Sequence, residues 1–269
     1  MGEAIVFTSG KGGVGKTTSL ANIGTGLSQL EKKVIMLDAD MGLRNLDVVM
    51  GLEDRITYNL ADLLENKCRL RQALIKDKRY PNLFLIPASL KKLNINQYES
   101  ELKTLVAELK KEFDYVLIDS PAGIDRGFDF AVCSADRAVL VTTPHISSVR
   151  DAGRVKYLLE QNHFYNLNLL INGYQPKMVR RHEMLSVTDI EEIIRLRHIG
   201  CIPYDTQVIV SQNNGIPVIS HRSKAGREFR STAAKIPNLR PLAEDLNDEF
   251  TLNHAVYATA KEACVYEIL

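Results

Sequence analysis

The stretch AIVFTSGKGGVGKTTSLANIGTGLSQL, residues 4–30, decides the fold. Ala4–Thr8 is almost continuously apolar, as a parallel strand covered on both faces requires. From residue 16 onward the apolar residues recur at helical spacing. Between the two, Gly10, Gly15, Lys16 and Thr17 match G-x-x-x-x-G-K-[ST]. Glycines in such a loop let the backbone wrap, so that successive N–H groups point inward at phosphate oxygens. Lys16 adds a point charge for the β- and γ-phosphates, and the Thr17 hydroxyl can ligate Mg²⁺. The helix that opens here presents its positive dipole end to the same anion. Residues Gly10, Lys11, Gly12, Gly13, Val14, Gly15, Lys16, Thr17 and Thr18 therefore form the candidate phosphate cradle.

The same alternation continues along the chain. Val34–Leu37, Leu83–Pro87, Tyr115–Ile118, Ala138–Thr142, Leu167–Ile171 and Ile199–Ile202 are short apolar runs. Helical patterns lie between them at about 16–30, 97–112, 147–161 and 186–196. That succession predicts an α/β fold with a single doubly wound, mostly parallel sheet flanked by helices. No linker-like composition or repeat divides it, so one domain is expected over 1–247, with a tail at 248–269 that reads as a helix or an atypical membrane anchor.

Composition narrows the function classes. The 269 residues carry 34 basic and 33 acidic side chains, so no global field favours nucleic acid or membrane. Cys68, Cys133, Cys201 and Cys264 are scattered without a CxxC pair, which argues against a zinc or iron–sulfur site and for free thiols in a reducing compartment. No signal sequence precedes the loop, and no apolar run approaches the roughly 20 residues needed to span a bilayer. A soluble protein facing the cytosol is the expectation.

A phosphoryl-transfer site needs carboxylates near the metal and the attacking water, and such sheets deliver them at strand C-termini. VIML ends in Asp38-Ala39-Asp40, and YVLI ends in Asp119 followed by Ser-Pro-Ala-Gly. Asp119 sits like a Walker B aspartate, acting on Mg²⁺ through water, and Gly123 suits a loop that senses a terminal phosphate. ATP and Mg²⁺ are the implied ligands.

The loop KGGVGKT, with its early Lys11, resembles the deviant P-loop of the MinD/ParA group of ATPases. DADMGLRNLDVVMG (38–51), ALIKDK (73–78), IPAS (86–89), IDSPAGI (118–124) and TTPHISSVRDAGRV (142–155) narrow the likeness to the MinD family of division-site ATPases. NGYQP (172–176), MLSVTDI (184–190), IGCIPYD (199–205) and SQNNGIPVI (211–219) extend it over about residues 3–220.

That resemblance implies that Lys11 reaches a partner subunit's phosphates and that Asp40 positions or activates the hydrolytic water, with Asp38 close to the metal. It places Asn172 on the adenine edge and Asp205 beside the base, and it marks Arg44 and Asp151 as partner-binding. It further implies an ATP-dependent homodimer that binds the inner membrane as a peripheral protein of cytoplasm or plastid stroma. There the dimer recruits a MinC-like division inhibitor and is released by a MinE-like activator.

Two segments depart from the pattern. The tail DEFTLNHAVYATAKEACVYEIL holds Asp248, Glu249, Glu262 and Glu267 against Lys261, −3 in side chains, where the family carries a basic amphipathic helix. Residues 221–240 hold Arg222, Lys224, Arg227, Arg230, Lys235 and Arg240 against Glu228, a local +5. This run would be the DNA-binding patch of a ParA-like partitioning ATPase, the alternative function, or else a solvated helix face.

Overall fold

In a computed structural model of the chain, which describes residues 1–91 and 93–239, the apolar runs become a single sheet. The strands are β1 (Glu3–Thr8), β2 (Val34–Asp38), β3 (Ile75–Lys76), β4 (Leu83–Ile86), β5 (Tyr115–Asp119), β6 (Arg137–Thr142), β7 (Leu167–Tyr174) and β8 (His198–Pro203). Their order across the sheet is β3-β4-β2-β5-β1-β6-β7-β8. Every pairing is parallel except β3 with β4. Residues 34–38, 115–119 and 137–142 are buried throughout, the burial that continuous apolar strands demand.

Strand order explains where the site forms. The chain leaves β1, crosses over β5 to build β2, and later returns to place β6 on the other flank of β1. The crevice outside the C-terminal end of β1 is thus the switch point at which open α/β sheets bind ligands. Register brings the chemistry there, since Phe7 and Asp38 both lie opposite Asp119.

Expected helices appear at Lys16–Gln29, Glu99–Glu112, Ile146–Gln161 and Val187–Ile194. Periodicity did not announce the short ones, such as Leu46–Met50, Leu60–Leu64 and Arg126–Val132, because five to seven residues barely complete two turns. Strand β3 also went unforeseen, for two residues carry no alternation and only pairing with β4 defines them. Among the described residues, no helix is long and apolar enough to cross a membrane. The tail and Arg240 lie outside the described residues.

Helix Lys16–Gln29 is covered by helix Lys224–Lys235, which Ser223 caps by accepting from the Gly226 N–H. A Cβ on Gly26 would stand 2.6 Å from that of Ala233, so a side chain there would force the two helices apart. The apolar face of the covering helix, Ala225, Phe229 and Ala233, is buried. Its cations divide: Arg230 donates to the carbonyls of Ile219 and His221, and Lys235 to that of Ile199. Arg222, Lys224 and Arg227 remain exposed, so the basic run is largely a solvated face with two members engaged in packing.

A second brace joins distant loops. Arg79 pairs with buried Asp77 and donates to the carbonyls of Met50 and Gly215. Those carbonyls flank a tight crossing in which a Cβ on Gly215 would lie 2.5 Å from Gly51 Cα. Arg79→Ala should cost about 2 kcal/mol of unfolding free energy, less than a fully buried pair because the arginine is partly exposed. Urea denaturation measures it, and a loss under about 0.5 kcal/mol, within the range of neutral surface changes, would contradict the assignment.

Candidate functional site

The loop after β1 has the backbone its sequence calls for. Gly13 (φ +78°) and Gly15 (φ +91°) are left-handed, and a Cβ on Gly13 would meet nothing within 4 Å. The cradle is therefore open where an anion would enter. Gly10 is required by close approach, since its Cβ would stand 2.5 Å from the Asp151 backbone. Lys11, Gly12 and Gly13 are exposed at the loop's tip, whereas Val14, Lys16 and Thr18 are buried at its base.

Lys16 Nζ donates to Asp119 Oδ1 at 2.9 Å, and the Thr17 hydroxyl donates to Asp119 Oδ2 at 2.6 Å. Three residues that the sequence singled out, separated by about a hundred positions, thus converge. The hydroxyl and the carboxylate are hard oxygen donors in contact, the kind of set that suits Mg²⁺ together with phosphate oxygens and water. The loop after β5 is tied to the cradle through Gly123 N–H, which donates to Ser9 O at 3.0 Å. Gly123 itself has φ +94° and open space around it.

The two carboxylates after β2 differ in placement. Asp38 is fully buried, and its oxygens accept the N–H groups of Asp40 (3.0 Å) and Leu46 (3.2 Å). It anchors both ends of the turn that carries Asp40. Burial, and then the negative charge of Asp119, push its carboxyl up to about 7 against the pull of those two N–H groups. Asp40 is half-buried, and its proton affinity is raised by burial first, with Lys16 opposing and Asp119 reinforcing.

The Asp38 shift has a testable sign. Its folded pKa lies above the ordinary 3.8, so its contribution to stability is fully present below about pH 4 and lost as pH rises through about 7. Asp38→Asn should therefore flatten the decline in melting temperature of the nucleotide-free protein across that window. Parallel wild-type and variant curves would contradict it.

On the opposite side, the Asn172 amide donates to Val14 O at 2.8 Å, and a Cβ on Gly15 would meet that amide nitrogen at 2.1 Å. Asp205 caps helix Thr206–Asn213, accepting Gln207 N–H and, across the chain, Ala225 N–H. Both residues so far have structural work, and both stand on the flank of the loop made by β7 and β8. Gln212, on that same helix, donates to the Thr18 hydroxyl at 2.6 Å. Nothing in the sequence flags Gln212, an ordinary polar residue within SQNNGIPVI. Arg44 (φ +47°) pairs with buried Asp47 at 2.9 Å, within its own turn. Asp151 lies on helix Ile146–Gln161 directly behind Gly10.

The chain is similar to known proteins over most of its length. A family model described as an AAA domain matches residues 2–169. The septum site-determining protein MinD of Synechocystis sp. is 45% identical over 238 residues, covering 88% of this chain and 90% of that protein. Among solved structures, the chain is similar to the MinC:MinD cell division protein complex of Aquifex aeolicus, with 43% identity and TM-score 0.81 over 88% of this chain and 97% of that one. It is also similar to MinD of Pyrococcus horikoshii complexed with Mg-ADP, with 27% identity and TM-score 0.79 over 88% and 96% of the two chains.

Proposed function

The chain belongs to the MinD family of septum site-determining proteins, and from that premise we propose that it is an ATP-hydrolysing switch of division-site placement. The observation that carries the reading is the convergence of Lys16 and Thr17 on Asp119 at 2.9 and 2.6 Å, beside half-buried Asp40. Thr17 and Asp119 would hold Mg²⁺, directly or through water, and the ion would supply charge neutralisation at the phosphates. Lys16 binds the β- and γ-phosphates. Asp40, with its raised proton affinity, orients the attacking water and accepts its proton. Asn172 and Asp205 line the base side.

Lys11 completes the switch. It is exposed at the loop's tip and makes no salt bridge among the described residues, so its charge is free for the phosphates of a second copy. A γ-phosphate contacted from both subunits stabilises the dimer, and its loss biases the equilibrium back to monomer. The dimer binds the inner face of the membrane, recruits a MinC-like inhibitor through the surface near Arg44 and Asp151, and is released by a MinE-like activator. A basic residue near an anionic membrane contributes roughly 1 kcal/mol. The −3 tail lacks that attraction, so within the tail attachment rests on apolar side chains, Phe250, Leu252, Val265, Ile268 and Leu269 among them.

Sedimentation with anionic liposomes tests the reading, using the full chain, a chain ending at Asn247, and Lys11→Ala. The full chain should pellet with ATP and not with ADP, and both variants should stay in solution. A full chain that stays in solution with ATP removes the membrane step. Salt-sensitive, ATP-dependent binding to DNA instead would favour a ParA-like role through Arg222, Lys224 and Arg227.

A further inference from the structure

Thr18 is the one threonine of the phosphate loop's helix start whose hydroxyl is held from outside the loop and its strand partners. Three other helical threonines of this chain use their hydroxyl locally. Thr25, Thr104 and Thr232 each donate to the carbonyl four residues back, at 2.8, 2.9 and 2.8 Å. The corresponding carbonyl for Thr18 is that of Val14. It lies beyond left-handed Gly15 and accepts the Asn172 amide at 2.8 Å. The Thr18 hydroxyl instead accepts from Gln212 Nε2 at 2.6 Å.

A hydroxyl has one proton and two lone pairs. With the Gln212 N–H filling one lone pair, the proton points away from Gln212 and is free to be donated elsewhere. Thr18 lies in the first turn of helix Lys16–Gln29, beside Lys16 and Thr17, where the helix's unpaired N–H groups face the anion site. We propose that Gln212 is a positioning residue for the phosphate loop: its amide occupies Thr18 so that the hydroxyl proton is left for a phosphate oxygen of the bound nucleotide. This rests on the nucleotide-switch reading above and adds a residue on which that reading does not depend.

Several contacts hold the helix that carries the amide. Asp205 caps the start of helix Thr206–Asn213, and Ser211 beside Gln212 is buried. Past the helix end, Gly215 is wedged against Gly51, and its carbonyl accepts Arg79 Nη1 at 2.7 Å. Gln212 is therefore held from both ends of its helix. Through Gly51 and the Met50 carbonyl, the same clamp reaches helix Leu46–Met50, which follows the turn bearing Asp40.

The test uses the full chain with Gln212→Ala and Gln212→Glu, each in wild-type and Thr18→Val backgrounds. Mg-ADP affinity is read by fluorescence titration with a labelled ADP, and ATP turnover gives KM and kcat. Gln212→Ala should weaken Mg-ADP binding about fivefold, the worth of one hydrogen bond. Gln212→Glu should weaken it by more, because a carboxylate accepts the hydrogen bond of the Thr18 hydroxyl, turning it away from the nucleotide, and sets a negative charge beside the phosphates. KM should rise with kcat nearly constant, since a contact equal in ground and transition states contributes uniform binding. In the Thr18→Val background, Gln212→Ala should have almost no further effect.

Additive losses in that background, unchanged affinity in Gln212→Glu, or a kcat loss at constant KM would each overturn the proposal. Wild-type protein that binds neither nucleotide would overturn the switch reading and this inference together. Normal wild-type binding with indifferent Gln212 variants would overturn this inference alone.

Discussion

Lys16→Ala is expected to lose nucleotide binding, by about 100-fold or more in affinity, since removing one partner of a buried charge pair costs on the order of 2–5 kcal/mol. Two effects act together. The ammonium that meets the phosphates disappears, and with it the group that balances Asp119. Lys16 Nζ is 2.9 Å from Asp119 Oδ1, and that carboxylate is 1% exposed. In the variant a buried, unpaired carboxylate faces the place where a polyanion must bind. Titration with a labelled ADP measures the loss. Affinity within about threefold of wild type, a difference of under 1 kcal/mol, would remove Lys16 from the phosphate site.

Asp40→Ala should behave in the opposite way, retaining ATP and losing turnover. Asp40 is held by the turn that Asp38 anchors, half-buried and close enough to Lys16 and Asp119 for both charges to alter its proton affinity. Its carboxylate does not pair with Lys16 or Thr17, so binding stays within a few-fold. A positioned general base contributes typically about 10²–10⁴ in rate, and kcat should fall by that amount. Single-turnover measurement of phosphate release separates the two quantities. Turnover at the wild-type rate would exclude Asp40 from the chemistry. Asp38→Ala is the informative contrast, because it releases the Asp40 and Leu46 N–H groups and should disturb the whole turn.

Much of this was legible in the sequence, for identifiable reasons. The phosphate loop is eight consecutive residues whose conformation is dictated locally, by glycines that reach positive φ and by the helix that starts at Lys16. Parallel strands buried on both faces are continuous in apolar character, so seven of the eight could be placed. Asp119 was recognisable because it directly follows four of those residues. The +5 run was also visible, but not that Arg230 and Lys235 are engaged with carbonyls while Arg222, Lys224 and Arg227 face solvent. Charge counts carry no direction.

The sequence by itself determined the cradle, the sheet and the carboxylates at its strand ends, because each rests on neighbours within a few residues. Tertiary structure alone decided which of these groups touch. Lys16 meets Asp119 across 103 positions, and Gln212 meets Thr18 across 194. The first pairing depends on β5 lying directly beside β1, and the second on a helix that follows β8 folding back over the loop. Contacts of that range are set by strand order and close packing, which no local spacing encodes. The Asn172 and Gln212 amides, the Arg79 clamp and the Gly51–Gly215 crossing therefore emerge only when the sheet is assembled.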